Sequence, residues 1–400
     1  MTQDEQALLA RFARTTESMV SSEEFQDLLR SGRQLRIKYG VDVTAPFLHI
    51  GHAVNLWMIR QLQDLGHKAV FLIGDFTTRI GDPTGRNKLR PVLSREEIAD
   101  NMQRFLEQAR MVLRFDDPRL LEIRYNSEWY DALSAQELLQ LLAQVTHARL
   151  IGRDMFQERI RQGLDIHMHE LIYPVLQGYD SVMLHSDLTI IGSDQLFNEM
   201  LGRFYQERQG QRPQVIITTR ITPGIDGKAK QSKSLGNYIG LGHSPRDKFG
   251  RAMSIPDELI LPYLEVYTDV STEELRELAA QVAIEPMRCK LRLAYELVCR
   301  YHGEAVAEQE QQWFLETFST RRTPDEMPVL TIEAGEYNAL AVLQRFFAGS
   351  KSNRELRRLF TQGAVSLNGE TLWVPEQPVS ALNGAVFRVG KRTWFRVEEC

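Results

Sequence analysis

With 400 residues the chain exceeds what one ordinary hydrophobic core accommodates, so two or three domains are expected. Its 43% hydrophobic and 25% charged residues fit a water-soluble globular protein, and no run approaches the roughly 18 apolar residues of a membrane helix, which excludes a membrane partner. The net charge of −5 argues against a general nucleic-acid binder such as a DNA-coating protein, and the start MTQDEQALLARFARTTES lacks the apolar stretch of a secretory signal, so a cytoplasmic location is expected.

The first half alternates strand-like and helix-like segments. Arg36–Tyr39 reads as a strand, Ala53–Leu65 as a helix, and the continuous apolar run Lys68–Gly74 as a strand buried on both faces. Ser94 and Glu97 form a capping box ahead of the helical stretch IADNMQRFLEQARMVL, and Leu121–Tyr125, Leu188–Ile191 and Val215–Thr218 read as further strands. This rhythm predicts an α/β fold with a mostly parallel, Rossmann-like sheet over 1–225. Over 226–325 the helices Asp257–Leu264, Thr272–Val282, Met287–Arg300 and Glu304–Phe318 predict an α-helical domain, and the polar, proline-bearing STRRTPDEMP (319–328) a linker. Over 335–400 a basic helix at Ser352–Gln362 and strands at Ala364–Leu367, Leu372–Val374 and Val386–Val389, with Asn-Gly hairpin signals at 368–369 and 383–384, predict a small α+β module. Residues 341–400 hold nine Lys/Arg and five Asp/Glu, a local +4 that leaves −9 for the rest, as in a protein that grips a polyanion with one module.

His49-Ile50-Gly51-His52 falls between a strand and a helix N-terminus, where main-chain N–H groups and the helix dipole attract phosphate and two imidazoles can donate to its oxygens. Four residues match by chance too often to carry a site alone. Further on, Lys228-Ala229-Lys230-Gln231-Ser232-Lys233-Ser234 follows a strand and a Gly224/Gly227 turn; lysines on such a loop can close over a polyphosphate, although a KxxK cluster by itself is usually a solvated loop. Tyr173, Gln177 and Asp180, spaced by four and three, share one face of a helix and offer partners for a phenol hydroxyl and an ammonium group. Cys289, Cys299 and Cys400 form no CxxC pair, which argues against disulfides and a zinc site; no protein-held metal is expected.

In that order, with KYGVDVTAPFLHIGH (38–52), FLIGDFTTRIGDPTGR (71–86), RDMFQER (153–159), YPVLQGYDS (173–181), GSDQLFN (192–198) and SKSLGNYI (232–239), the chain resembles the class I aminoacyl-tRNA synthetases and, more narrowly, the bacterial tyrosyl-tRNA synthetases. The resemblance covers nearly the whole chain. It implies ATP-dependent activation of L-tyrosine and transfer to tRNA(Tyr), with ATP and Mg2+ as substrate and no tightly bound cofactor. It assigns Gly40, Asp42, Thr44, His49, Gly51, His52, Gly192 and Asp194 to the nucleotide, Lys230 and Lys233 to a mobile loop, Asp180 to the phenol, Tyr173, Gln177 and Asp82 to the α-amino group, and Gln195 to the substrate's polar end. SNRELRRLFTQGAVSLNGE (352–370) resembles a small RNA-binding fold of a ribosomal protein, with Lys351, Arg354, Arg357 and Arg358 facing tRNA. A homodimer is implied as well. Three residues depart from the pattern: Gln231 where the loop has Met, Ile191 where a Gly approaches the ribose, and Val43 for a Pro, a change expected to relax the backbone ahead of His49. They leave open a paralogue for a modified tyrosine or another aromatic amino acid, or a non-catalytic RNA-binding homologue.

Overall fold

The computed structural model describes residues 2–44, 46–83, 93–232, 235–319, 327–333, 335–380, 382–390 and 393–399. Lys233 and most of the expected linker 319–328 lie outside the described residues. The chain forms two compact units, Met1–Glu310 and Gln311–Cys400.

The first unit is built on six strands: β1 (Thr16–Val20), β2 (Arg36–Val41), β3 (Lys68–Ile73), β4 (Leu121–Tyr125), β5 (Leu188–Gly192) and β6 (Val215–Thr219), in the order β1-β6-β5-β2-β3-β4. β2 to β6 are parallel, while β1 runs antiparallel to β6. The apolar runs of β3 and β6 are buried along nearly their whole length, because helices cover both faces of a parallel sheet. Neither β1 nor the helices Gln3–Thr15 and Ser22–Arg30 was anticipated from the sequence: TESMV has too little apolar content to stand out, yet it pairs with the otherwise exposed edge of β6.

From β2 the chain winds outward through β3 and β4, then returns to place β5 on the other side of β2. Such a reversal opens a crevice at the carboxyl ends of the two strands. Here the opening is pronounced, because β2 and β5 pair only at Ile37↔Leu188 and Lys38↔Thr189, whereas β2 and β3 stay paired from Arg36 to Val41. Three helices carry side chains to this crevice: α1 (Ile50–Asp64), α2 (Met168–Met183) and α3 (Leu196–Arg208).

The helical stretch expected after 226 is present, and as far as Glu310 it belongs to the first compact unit. Asp257–Leu264 divides into a 3-10 turn, Asp257–Leu259, and a helix, Ile260–Tyr267, because Pro256 and Leu259 set a separate start. Thr272–Gln281, Pro286–His302 and Glu304–Phe314 follow, the last running into a π turn at Leu315–Ser319. Among the described residues no helix is long and apolar enough to cross a membrane.

The second unit packs the helices Ala339–Phe347 and Asn353–Thr361 with a five-stranded sheet around a core that includes Leu343, Phe360, Phe387 and Phe395. Asn368-Gly369 makes the expected hairpin turn, both residues at positive φ, but only Glu370–Thr371 pairs beyond it, so Leu372–Val374 is not a strand. The partner strand Val365–Leu367 is too short to hold it. Asn383-Gly384 does not join two paired strands either: Val386–Val389 pairs with Val365–Leu367 and Thr393–Glu399. Instead the Gly384 N–H donates to the Val397 carbonyl at 2.8 Å.

Phe395 is fully buried, with its ring 3.9 Å from that of Phe346 and 5.2 Å from that of Phe387, both near-parallel. Phe395→Ala should cost about 3–5 kcal/mol. Scanning calorimetry should show the transition of the second unit lowered and that of the first unmoved; a common shift of both would contradict the division into two units.

Candidate active site

The crevice holds a cavity of roughly 400 Å³. Gly40, Asp42, Thr44, His49, Gly51, His52, Asp82, Tyr173, Gln177, Asp180, Gly192, Asp194, Gln195 and Lys230 all line it. Residues separated by most of the chain thus meet at one opening. Lys233 lies outside the described residues.

β2 delivers Gly40, and its following turn delivers Asp42, whose Oδ1 accepts from Thr77 Oγ1 at 2.7 Å and whose Oδ2 accepts from Tyr173 Oη at 3.0 Å. Gly74 makes this possible: a Cβ there would collide with both Asp42 Oδ1 and Thr77 Oγ1. Val43 is held rather than relaxed, correcting the expectation for this position. Its N–H donates to Thr78 Oγ1 at 3.0 Å and its carbonyl accepts from Asn101 Nδ2 at 2.9 Å, and a proline could not make the first bond.

His49 caps the start of α1, and its ring lies 3.7 Å, centroid to centroid, from that of His52 at a tilt of 31°. Gly51 permits that close approach, since a Cβ would lie 2.9 Å from His49 Nδ1. The His49 main-chain N–H donates to His52 Nδ1 at 3.2 Å, which leaves the proton of a neutral His52 on Nε2. Burial, the neighbouring His52 and the Lys230 cation push the His49 pKa down to about 2; burial and Lys230 push that of His52 down to about 4. Both imidazoles are therefore neutral N–H donors at physiological pH.

Lys230 stands on the far wall, about two-thirds exposed, with Nζ 3.9 Å from Asp194 Oδ2. Its segment is tied to the histidines through the main chain, for the Ile50 N–H donates to the Ile239 carbonyl and the Leu241 N–H to the Leu48 carbonyl, each at 2.9 Å. Gln231 is buried and fully engaged, its Nε2 donating to Tyr267 Oη at 2.9 Å and its Oε1 accepting from the Ile239 N–H at 3.3 Å. Ile191 closes β5 and faces the cavity.

On α2, Tyr173, Gln177 and Asp180 do share one face. Gln195 Nε2 donates to Asp82 Oδ2 at 2.9 Å, and Asn198 Nδ2 donates to Gln195 Oε1 at 3.1 Å and to Gln177 Oε1 at 2.7 Å. Asp180 Oδ1 accepts from Trp129 Nε1 at 3.1 Å. Burial raises the Asp180 carboxyl to about 7, with the Lys38 cation the strongest opposing influence. Lys38, Glu199, Trp129 and Asn198 were missed from the sequence. A lysine inside a strand covered on both faces was the available signal for Lys38, because such a charge has to be paired.

In the second unit Lys351, Arg354, Arg357 and Arg358 are exposed on or beside the helix Asn353–Thr361. Arg357 is ion-paired with Glu376. An aromatic not singled out from the sequence, Trp373, is 62% exposed and lies against Gly363 at the end of that helix.

A doubly wound sheet with neutral imidazoles, a lysine-bearing segment and carboxylates around one crevice is the architecture of a nucleotide-activating enzyme, and the chain belongs to the class I tRNA synthetases: the family described as tRNA synthetases class I (W and Y) matches residues 30–319. Within the class, the tyrosine–tRNA ligase of Thermotoga maritima is 42% identical over 400 residues, covering 99% of this chain and 98% of its own. Tyrosine–tRNA ligase 2 of Vibrio vulnificus is 41% identical over 394 residues, with 98% of each chain covered. Among solved structures, a C-terminally truncated mitochondrial tyrosyl-tRNA synthetase of Aspergillus nidulans superposes with a TM-score of 0.64 at 23% identity, over 80% of this chain and 95% of that one, and shares the fold.

Because both site imidazoles are held neutral, the C2–H resonances of His49 and His52 should show no inflection near pH 6.5 between pH 8 and 5, as followed by NMR with His49→Gln and His52→Gln variants for assignment. A titration of either near 6.5 would refute the electrostatic picture.

Proposed function

We propose that the protein joins L-tyrosine to ATP as tyrosyl-adenylate and passes the tyrosyl group to the 3′ end of tRNA(Tyr). The observation that carries this reading is the convergence of His49, His52, Lys230 and the tyrosine-type pocket of Tyr173, Gln177 and Asp180 on a single cavity.

The amino acid enters with its phenol toward Asp180 and its ammonium toward Tyr173, Gln177 and Asp82, with Gln195 at the polar end. Phenylalanine would leave the buried Asp180 carboxylate without a hydroxyl partner, and an unmatched buried charge is heavily disfavoured. ATP lies across Gly40, Asp42, Thr44, Gly51, Gly192 and Asp194, carrying its Mg2+ as a counter-ion. The tyrosine carboxylate attacks the α-phosphorus, and the bond to the β-phosphate oxygen breaks as pyrophosphate leaves. His49 and His52 donate N–H groups to oxygens whose negative charge rises in the pentacoordinate state, and Lys230, with Lys233, neutralises the departing pyrophosphate. A hydroxyl of the terminal tRNA ribose then attacks the carbonyl carbon of the mixed anhydride and releases AMP. No protein nucleophile takes part; catalysis rests on positioning and charge stabilisation.

Within the second unit, the module over 335–400 grips tRNA phosphates through Lys351, Arg354, Arg357 and Arg358. The protein works in the cytoplasm as a homodimer. Leu139, Ile160, Leu164 and Met168, large apolar side chains left exposed on the helices and connecting loop between β4 and β5, support self-association.

Lys230→Ala should lower kcat of tyrosine-dependent ATP–pyrophosphate exchange by about 10²–10³-fold with little change in the KM for tyrosine. An unchanged kcat would count against this chemistry. Replacing Arg354 and Arg358 together by Glu should leave exchange intact while lowering charging of tRNA(Tyr) by about tenfold or more and flattening its salt dependence. Equal loss of both activities would instead mean misfolding, and loss of neither would remove the tRNA role of this helix.

A further inference from the structure

Lys38 lies on β2 with only 2% of its side chain exposed, between the sheet and α2. Burying an ammonium group is costly unless it is paired and hydrogen-bonded. Its Nζ is 2.7 Å from Glu199 Oε2 on α3, itself 2% exposed, and donates to Ser181 Oγ at 2.7 Å. The Glu199 carboxylate is saturated: Oε2 also accepts from Gln214 Nε2, and Oε1 accepts from Gln177 Nε2, each at 2.8 Å.

Two consequences reach the amino-acid pocket. First, Gln177 has its amide nitrogen committed to Glu199, so its orientation is fixed and Oε1 is the atom with acceptor capacity to spare; Asn198 uses one of its lone pairs. Second, Ser181 follows Asp180 in α2, and Lys38 is the cation that acts on the buried Asp180 carboxyl. One ion pair therefore bonds Gln177 through Glu199 and acts electrostatically on Asp180 through Lys38.

We propose that the Lys38–Glu199 pair is the positioning element that sets amino-acid specificity, aiming the Gln177 carbonyl at the substrate ammonium and keeping Asp180 the acceptor for the phenol hydroxyl. This rests on the tyrosine-activating reading above. The charged and titratable groups facing Asp180 are Lys38 from β2, Tyr130 from the helix Ser127–Tyr130 and Tyr173 from α2, with Glu199 acting through Lys38. Lys38 alone opposes the upward push of burial with a full positive charge. Without it, the Asp180 midpoint rises above about 7 and the carboxyl is mostly protonated at neutral pH. A neutral carboxylic acid costs less to leave unmatched than a carboxylate, so phenylalanine is rejected less strongly. Replacing both members of a buried pair can be nearly neutral for stability, which separates a specificity role from a scaffold role.

The test compares the full-length protein with Lys38→Met/Glu199→Gln and with Glu199→Asp, following tyrosine- and phenylalanine-dependent exchange from pH 6 to 9. In the double variant the KM for tyrosine should rise about tenfold at pH 7.5 with the KM for ATP unmoved, and the tyrosine/phenylalanine ratio of kcat/KM should fall about tenfold. The midpoint of tyrosine KM against pH should move from about 7 to higher pH. Glu199→Asp keeps a carboxylate to pair with Lys38 but draws it back from Gln177, so its KM should rise without that upward shift, and it serves alone where the double variant does not fold. A folded variant with wild-type KM, ratio and pH midpoint overturns the proposal. A wild-type protein that activates no aromatic amino acid overturns the tyrosine-activating reading instead.

Discussion

The parting of β2 from β5 after Lys38 is the constraint on which the rest of the site depends. Side by side to their ends, the two strands would seal the middle of the sheet. Because pairing stops at Lys38↔Thr189, the residues beyond it on β2 and at the end of β5 become walls instead of neighbours. The winding reversal puts the gap at the centre of the sheet, where strands are covered on both faces. α1 starts at the mouth of this gap and α2 runs beside it, so the side chains these helices bring to the cavity are placed by backbone geometry and not by loop conformation.

The second constraint is electrostatic. A site that collects a triphosphate needs donors that remain in one protonation state as charge arrives and leaves. His49 and His52 meet this need because desolvation and the Lys230 cation disfavour the charged form of both rings, and the neighbouring His52 disfavours that of His49 further. The positive charge is thus concentrated on Lys230, which stands at the surface. The same burial works in the opposite sense on Asp180, a carboxylate that becomes hard to ionise without a cation close by. Lys38 and Lys230 are both lysines near the one cavity, yet one is locked beneath it and the other is open to solvent. Their roles follow from that difference in exposure.

Much of this was legible in the sequence, and the parts that were not have identifiable causes. Periodicity located β2 to β6 because buried parallel strands are continuous apolar runs, and helical spacing put Tyr173, Gln177 and Asp180 on one face. The edge strand β1 escaped because its five residues are mostly polar and its existence depends on the partner β6. Single residues could be assigned to the pocket, but not the hydrogen-bond chain that runs from Asp82 through Gln195, Asn198 and Gln177 to Glu199. That chain joins residues from a loop and two helices, and only the fold fixes which amide end faces which neighbour. Trp373 escaped for the converse reason: an isolated tryptophan has no periodicity to betray that it stays in solvent.

The departures from the family pattern show how such a network absorbs substitutions. Gln231 stands where the resemblance led to Met, a position that would be expected to pack rather than to bond. A buried amide there would cost more than a thioether unless both its ends were used. Both are: one end holds Tyr267 and the other the Ile239 main chain, which is itself bonded to the start of α1. Substituting a polar group therefore converts a packing contact into a strut between the helix Ile260–Tyr267 and the histidine turn, just beside Lys230. Val43 follows the same logic, giving its N–H to Thr78 where a proline would have supplied stiffness through its ring. In each case rigidity near the cavity is kept while its source moves from side-chain shape to hydrogen bonding, so the chain can leave the common motif at these positions without loosening the geometry that the motif serves.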